Sequence, residues 1–461
     1  MAISQGFSDI LAKQTGAPQK LALAQNYLDF TTAADGWAKQ YLPEVMAGEA
    51  EVFGNRTISG FLERVGAEEA MQSDQVIWSE QSRLHIKTTG AMAGAGNAID
   101  TIPAGHALRV ADTVVISGPN DEIIKARITD VAATSIIVQT YTHDTLINAG
   151  LTDNDVVTIF VYGSEFTKGV SGRDESINPQ HLTYTNKPII IKDKYHVDGS
   201  DTAQIGWVEV SGEDGQSGYY WYLKADGDTR QRFTDYCEMS MVEAVKKSGS
   251  SPMTTTGTEG LFAAIEDRGL ISDGVDGTAT QNLAEFDLIL QEFDKQGAIE
   301  ENMLYVNRAT ALKVDDMLAG LAPQVGVGYG VFNNSENMAL NLGFTGFRRG
   351  SYDFYKTDWK YLNDPMTRGG LTAANTSLIR GVNVPAGTSS VYDESLGKNL
   401  KRPFLHVRYR ASAADDRRFK SFITGSVGGN VTSSLDAMEV HYLSERCLVV
   451  QGANNFLLLK G

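Results

Sequence analysis

The sequence contains little cysteine, no long apolar run and few positive charges. Its 461 residues include 2 cysteines, Cys237 and Cys447, and neither lies in a C-x-x-C pair. A disulfide-stabilised scaffold and a cysteine-based zinc module are therefore excluded, and a reducing compartment is favoured. No segment approaches ~18 uninterrupted apolar residues, so no membrane-spanning helix is predicted. The first residues also lack the basic and apolar regions of a secretory signal.

Negative charge exceeds positive charge: 57 Asp and Glu oppose 40 Lys and Arg, which leaves a formal net charge of −17. Non-specific nucleic-acid binding needs surplus Lys and Arg to displace counterions, so this balance argues against it, although local basic patches are still allowed. The hydrophobic fraction of 42% and the charged fraction of 21% are ordinary for a globular protein and exclude disorder as the main state. The length predicts about three domains, and the 46 glycines predict many turns and loops.

The N-terminal half is predicted to extend away from a compact body. Residues 1–50 are weakly periodic and have too little apolar face to fold alone, so we interpret them as an arm that lies against a partner. Strand patterns at Gln75–Lys87 and Asn186–Gly199 are interpreted as the outgoing and returning strands of a long hairpin. In the returning strand, alternation places two lysines and a histidine on one side, which is therefore predicted to be exposed.

We call the chain between these two strands the excursion. A small all-β unit is predicted inside it, from about residue 103 to residue 166. Turn signals separate four short β-branched runs, at Leu108–Ser117, Glu122–Val131, Ser135–Thr142 and Asp155–Tyr162. We interpret the unit as a compact, barrel-like insertion without a catalytic role. The Gly/Ala-rich stretch Thr88–Ala98 in front of it is interpreted as a linker.

The second half predicts a long helix followed by mixed structure. Apolar residues recur at spacings of three and four over Gln216–Ser248, which predicts one helix of ~50 Å. The stretch Thr254–Gly277 is turn-rich, and the pattern after it predicts helix, strand and helix at Ala284–Gln296, Met303–Val306 and Ala309–Leu321. Short strands follow to the C-terminus, so the α+β class is predicted.

Motifs for nucleotide, metal or nucleophile chemistry are not found. There is no P-loop and no G-x-S-x-G elbow, and the glycine-rich stretch Gly326–Gly330 is interpreted as a surface loop. The 7 histidines never form H-x-H or H-x-x-x-H, which argues against zinc. Acidic pairs such as Asp153 and Asp155 lack the calcium-loop spacing and are interpreted as turn-forming residues. No catalytic, cofactor-binding or metal-binding residue is therefore predicted, and no cofactor.

Basic residues cluster in the last quarter of the chain, at Arg348–Arg349, Lys398–Arg402, Arg408–Arg410 and Arg417–Lys420. One interpretation is a solvated surface. The other is electrostatic docking onto acidic surfaces of identical neighbours. The sequence does not decide between them.

The order of these parts resembles the major capsid proteins of tailed bacteriophages, whose fold is called the Johnson fold or Hong Kong-type phage capsid fold. The resemblance runs from about Asn26 to Gly461 and is carried by QVIWSEQSRLHIK, by the Gln216–Ser248 helix, and by FDLILQEFDKQG followed by LYVNRATALKVDDML. It implies an N-terminal arm at 1–50, an extended loop at 51–205 that includes the β insertion, a peripheral domain at 206–255 and 401–461 that holds the spine helix, and an axial domain at 256–400.

The resemblance also implies what the protein does and where. The chain would self-assemble into hexamers and pentamers of an icosahedral head shell that encloses double-stranded DNA without sequence-specific binding. The expected partners are other copies of the chain, a separate scaffolding protein, a portal at one vertex and decoration proteins, with no membrane. The protein would reside in the virion after assembly in the bacterial host cytoplasm. Some relatives crosslink a lysine of the extended loop to a neighbour's asparagine. Lys87 and Lys187 are formal candidates for such a lysine, but no carboxylate is marked to catalyse the step, so crosslinking is not expected.

Two other functions stay open from the sequence. One is another virion component or adhesin in which the β insertion is the binding module, and a trimeric or filamentous assembly would indicate it. The other is an enzyme whose site is built from scattered residues. A deep cleft lined with carboxylates of perturbed pKa would indicate that function.

Overall fold

The fold is seen in a computed structural model, which describes residues 60–62, 67–81, 83, 85–94, 96–173, 176–177, 181–202, 210–211, 217–218, 221–274, 277–297, 299–321, 346–371, 378–386, 388–393, 398–427 and 431–461. The arm predicted for residues 1–50 and the glycine-rich loop Gly326–Gly330 lie outside these residues. The chain divides into two units. The barrel unit is Trp78–Tyr184, and the main unit contains the described residues up to Ile77 and from Thr185 onward.

Strands outnumber helices among the described residues, which confirms the α+β class. The helices are α1 (Gly199–Thr202), α2 (Trp221–Glu243), α3 (Leu261–Arg268), α4 (Ala279–Gln296) and α5 (Arg308–Leu321). The strands are β1 (Ala67–Met71), β2 (Val76–Gln81), β3 (Lys87–Ala93), β4 (Ala98–Asp100), β5 (Asp112–Ser117), β6 (Ile123–Val131), β7 (Ile136–Thr140), β8 (Val156–Ser164), β9 (His181–Asn186), β10 (Ile189–Asp198), β11 (Val210–Ser211), β12 (Ser217–Gly218), β13 (Leu270–Ser272), β14 (Glu301–Val306), β15 (Gly346–Arg349), β16 (Tyr352–Asp358), β17 (Ile379–Pro385), β18 (Thr388–Asp393), β19 (Lys398–Pro403), β20 (Leu405–Arg410), β21 (Lys420–Gly425), β22 (Ala437–Val450) and β23 (Leu457–Lys460).

The first sheet of the main unit has the strand order β1-β20-β22-β10, and β21 also pairs with β22. β1 runs parallel to β20, whereas β22 is antiparallel to β10, β20 and β21. The long helix α2 packs against β10 and β22, where Phe233 and Cys237 are buried with Val440 and Tyr442. One face of the sheet is therefore closed by the helix.

The second sheet has the order β13-β23-β17-β14-β16-β15 and is covered on both faces. Successive side chains of β14 point to opposite faces of the sheet and enter different cores. Leu304 and Val306 belong to a core formed with α4 and α5, while Tyr305 belongs to another core that includes α3. The predicted succession of helix, strand and helix is confirmed by α4, β14 and α5.

The long helix is shorter than the sequence predicted. It was expected over Gln216–Ser248, but α2 begins at Trp221 and ends at Glu243. Phe233 and Met241, which belong to the apolar periodicity of this stretch, are buried, whereas Val245, which also belongs to it, is 67% exposed. Just past the helix end, the Ala244 carbonyl accepts a hydrogen bond from the Gly260 amide at 2.8 Å.

The prediction of turns over Thr254–Gly277 missed a helix. α3 has only eight residues and is bracketed by Gly260 and Gly269. Both flanking glycines approach backbone atoms closely: a Cβ on Gly260 would lie 2.8 Å from the Ala244 amide nitrogen. The helix forms because Leu261 and Ile265 are fully buried, and such tertiary burial overrides weak local signals.

The excursion strands are only partly as predicted. β2 pairs with β9, so the outgoing and returning chain segments are partners. The returning stretch Asn186–Gly199, however, lies mostly in β10, which pairs with β22 in the first sheet rather than extending the hairpin. The predicted alternation along β10 is confirmed, because the side carrying Lys192, Lys194 and His196 is exposed.

The barrel unit is a closed six-stranded barrel in the order β3-β4-β7-β6-β5-β8. The four predicted β-branched runs correspond to β5, β6, β7 and β8. Their inward residues form a core that includes Ile116, Ile128, Val138 and Ile159, all at most 1% exposed. A hydrophobic core of its own makes this part a separate compact body.

The interpretation of Thr88–Ala98 as a linker is wrong. Most of this segment belongs to β3, so the barrel begins at Lys87 rather than near residue 103. Its small residues serve close packing between strands: a Cβ on Gly90 would lie 2.7 Å from Ile99 Cγ2 and 3.0 Å from the Asp100 carbonyl oxygen. Glycine is therefore needed at position 90 for close packing inside a strand, although glycine in a sequence is more often interpreted as a sign of a flexible segment.

Gly90→Ala tests this packing. We expect a loss of ~1–3 kcal/mol in the free energy of unfolding, because the added methyl overpacks a closed barrel. The matched control is Gly96→Ala, since a Cβ there meets nothing within 4 Å. Urea unfolding of the full chain measures both. Equal midpoints for the two variants would contradict the packing argument.

Candidate assembly surfaces

Three of the four basic clusters of the last quarter contain arginines that are paired within the chain. The Arg349 guanidinium contacts the Asp287 carboxylate through Nε at 2.5 Å and Nη2 at 2.7 Å. Arg408 Nη2 lies 2.7 Å from Glu69 Oε2, and Arg418 pairs with Glu68. The basic residues of Lys398–Arg402 lie on β19, and their side chains are outside the described set.

Glu445 is the centre of the largest of these pairings. Its side chain is 8% exposed and lies between two guanidiniums, with Arg410 Nε at 2.8 Å and Arg417 Nε at 3.1 Å. Arg410 also reaches Asp74. Neither sequence-based interpretation anticipated this, because these arginines hold β20, β22 and the segment after β20 together inside one subunit. Arg410 and Arg417 are therefore paired within the subunit, and docking onto identical neighbours stays a prediction.

A second buried carboxylate anchors the start of the described chain. Glu238 of α2 accepts hydrogen bonds from the backbone amides of Gly60, Phe61 and Leu62 at 2.8, 2.7 and 3.3 Å. Burial raises the pKa of Glu238 above its ordinary value. Phe61 then stacks on Trp359 with ring centroids 4.4 Å apart. The segment that precedes the excursion is thus fixed to the core of the main unit by polar and aromatic contacts.

The buried Asn186 fixes the chain to the main unit at the point where the excursion returns. Its side-chain amide donates to the carbonyls of Leu448 and Glu259 at 2.6 and 3.1 Å, and its Oδ1 accepts from the Glu259 amide at 2.9 Å. No sequence pattern predicted Glu238, Asn186 or Glu445. Their partners are backbone groups or residues far along the chain, so a single sequence carries no signal for them.

The exposed face of the first sheet carries a small charged network. Glu439 accepts from Lys194 Nζ at 3.0 Å and lies 3.0 Å from His196 Nδ1. The other ring nitrogen of His196 lies 3.0 Å from Asp198 Oδ1, and His441 Nε2 lies 3.4 Å from Glu439 Oε2. The hydrogen bond from Lys194 holds the pKa of Glu439 below its ordinary value.

Groups suited to metal binding do not converge in the described part of the chain. No three residues among its His, Cys, Asp and Glu are placed to hold a metal ion. Both cysteines are buried, and burial raises the pKa of Cys447 to about 12. The turn prediction is confirmed by the local hydrogen bond of Asp155, whose carboxylate accepts from the Thr152 amide at 2.7 Å, whereas the Asp153 carboxylate accepts from the distant Gly94 amide at 2.7 Å. None of the described helices has the length and hydropathy to cross a membrane.

Comparison with known proteins gives structural neighbours alone. No family model matches the chain, and no curated protein matches it. The similar solved structures include the asymmetric unit of the bacteriophage PhiM1 mature capsid, with 8% identity, 96% of this chain and 98% of that chain covered, and a TM-score of 0.42. They also include the capsid of a native GTA particle computed with C5 symmetry, with 10% identity, 94% and 99% coverage, and a TM-score of 0.42.

A third similar structure is the capsid of the cyanophage P-SCSP1u, with 8% identity, 92% of this chain and 94% of that chain covered, and a TM-score of 0.41. All three are described as capsid structures. Similarity at this level carries no argument about function, so the function has to be argued from the geometry of the chain.

Glu445→Gln tests the buried charge centre. The variant keeps the shape but leaves two guanidiniums around an uncharged amide, so we expect a loss of ~3 kcal/mol in the free energy of unfolding. The control is Glu266→Gln, which removes a partly exposed pair with Lys460 and should cost under ~1 kcal/mol. Urea unfolding distinguishes the two. A similar small loss for both variants would contradict the assignment.

Glu439 generates a prediction about pH. A carboxyl group whose folded pKa is depressed contributes stability above the unfolded pKa of about 4.3, and the contribution is lost as pH falls through the folded value. Glu439→Gln should therefore flatten the dependence of unfolding midpoint on pH below about pH 4.5. The control is Glu292→Gln, whose pairing with Lys295 is largely exposed. If the unfolding midpoint of Glu439→Gln depended on acidic pH in the same way as that of the unchanged chain, the prediction for Glu439 would be contradicted.

Proposed function

We propose that the chain is a major capsid protein of a tailed bacteriophage, with the Johnson fold. In this function it assembles into hexamers and pentamers that form an icosahedral shell around double-stranded DNA. The observation that carries the proposal is the order of parts along one chain. An excursion with its own barrel leaves the main unit after β1 and returns at β10, a long helix follows, and the strands that complete both sheets come last.

The anchoring of this excursion supports the proposal. Glu238 and Phe61 fix the chain before the excursion, and Asn186 fixes it on return, all with buried contacts. A subunit built in this way holds the base of its excursion firmly, as a contact between the subunits of a shell requires. The arginines that are paired within the chain also stabilise the subunit, because their charges are already neutralised within it.

The domain assignment is part of the proposal. The first sheet and α2 correspond to the peripheral domain of the resemblance, and the second sheet with α4 and α5 corresponds to the axial domain. The extended loop predicted at 51–205 is then the part of the chain between β1 and β10 that holds the barrel, while β1 and β10 themselves join the first sheet and β23, from the predicted peripheral range, joins the second. Residues 1–50 are the arm that embraces a neighbouring subunit.

The partners and location follow from the same function. Other copies of the chain are the principal partner, and a separate scaffolding protein, a portal and decoration proteins complete the particle. The net charge of −17 suits an enclosure for DNA, because an acidic surface does not hold the packaged phosphates. The protein resides in the virion and assembles in the cytoplasm of the bacterial host.

A second candidate function is a virion adhesin, and the exposed aromatic residues of the barrel favour it. Phe160 is 44% exposed and Tyr162 is 49% exposed on the outer face of β8. Such rings suit the recognition of a partner surface. An adhesin forms trimers or filaments, whereas a capsid protein forms closed shells, so particle shape separates the two functions.

Negative-stain electron microscopy of the purified full chain, alone and co-expressed with a candidate scaffolding protein, tests the proposal. We expect closed shells, tubes or six-fold rings. Removing residues 1–50 should abolish closed shells while the remaining chain stays folded by circular dichroism, because the arm acts between subunits. A chain that stays monomeric with scaffold present would overturn the capsid function.

A further inference from the structure

The barrel carries a row of outward residues that crosses four strands. The backbone register places Lys87 opposite Phe160, Phe160 opposite Val115, and Val115 opposite Lys125. Neighbouring strands lie ~4.8 Å apart, so the row spans ~14 Å. Phe160 is 44% exposed, and both lysines are exposed. We name these four residues the basic row.

The lysines of the basic row have no carboxylate partner among the described residues. This separates them from Arg408, Arg410 and Arg417 of the main unit, which are paired within the chain. An exposed aromatic ring flanked by two unpaired ammonium groups is a surface that can bury apolar area while it attracts an acidic partner.

One end of the same barrel has the opposite character. The connections between β3 and β4, between β5 and β6, and between β7 and β8 meet there, as shown by hydrogen bonds from the Gly94 amide to Asp153 and from the Leu146 amide to Asn97. These connections contain no Lys or Arg, and we name their carboxylates the acidic end: Asp121, Glu122, Asp144, Asp153 and Asp155. Exposed apolar residues accompany them, with Ile123 at 72%, Ile147 at 39% and Val156 at 68%.

We propose that the basic row docks onto the acidic end of the barrel in a second copy of this chain. Each surface combines exposed apolar residues with charges of one sign, and the two signs are opposite. Because the two surfaces differ, the contact is heterologous, so it continues from subunit to subunit. The inference rests on the proposed function and gives the barrel a place in assembly.

A second copy fits the basic row better than a nucleic acid does. The barrel unit Trp78–Tyr184 contains 7 Lys and Arg against 12 Asp and Glu, so its net charge is 7 − 12 = −5. Such a unit repels a phosphate backbone as a whole, since nucleic-acid binding draws on a local surplus of cations. A second copy instead supplies carboxylates together with exposed apolar side chains.

The test is assembly of the full chain, followed by light scattering and electron microscopy at several salt concentrations. Lys125→Glu should raise the concentration needed for half-maximal assembly at least ~10-fold. Lys168→Glu, an equal charge change at an exposed barrel position outside the row, should leave it unchanged. Assembly of the unchanged chain should weaken as salt rises, because the attraction is screened.

Two further variants keep the proposal falsifiable. Asp144→Lys should weaken assembly as Lys125→Glu does, and an equimolar mixture of the two should assemble again, because each supplies the charge that the other lacks. Phe160→Ala changes no charge and should also weaken assembly while circular dichroism stays unchanged.

The outcomes separate this inference from the proposed function. Unchanged assembly of Lys125→Glu alongside normal shells of the unchanged chain would overturn the docking contact and leave the capsid function standing. Failure of the unchanged chain to assemble with any scaffold would overturn both. Unaltered assembly with a loss of single-stranded oligonucleotide binding by Lys125→Glu would assign the basic row to nucleic acid instead.

Discussion

The main unit depends on the pairing of one strand, β22, with three others. β10 lies along one side of β22, while β20 and β21 share the other side. β10 is at residues 189–198 and β22 at 437–450, so the sheet is complete only when the C-terminal part of the chain has paired. Pairing between strands so far apart in sequence forms slowly. Asn186 and Glu445 add polar contacts at this strand.

Local patterns in the sequence predicted the elements whose burial repeats regularly. Strands β5, β6, β7 and β8 and helices α4 and α5 have periodic apolar faces, and each was anticipated within a few residues. The short helix α3 and the strand β3, which is rich in small residues, were not predicted, because tertiary contacts rather than a local sequence pattern produce their regular structure. Gly90 shows the reason: glycine in a sequence indicates a turn, and here it permits two strands to approach closely.

The charged sites were the least predictable part. The arginines of the last quarter were visible as clusters, but their partners Glu68, Glu69 and Glu445 come from strands that the fold brings together. A single sequence does not show which charges are neutralised inside a subunit and which are left for another. The structure makes this division: guanidiniums stabilise the main unit, and the lysines beside Phe160 on the barrel remain exposed.

A cryo-electron microscopy reconstruction of particles assembled from the full chain tests the central claim most directly. The account predicts a closed shell with five-fold and six-fold clusters of subunits, in which density for β22 continues between β10 and β20 and the barrel contacts a neighbouring subunit. A reconstruction of isolated trimers, of filaments without five-fold vertices, or of discrete monomers would contradict it.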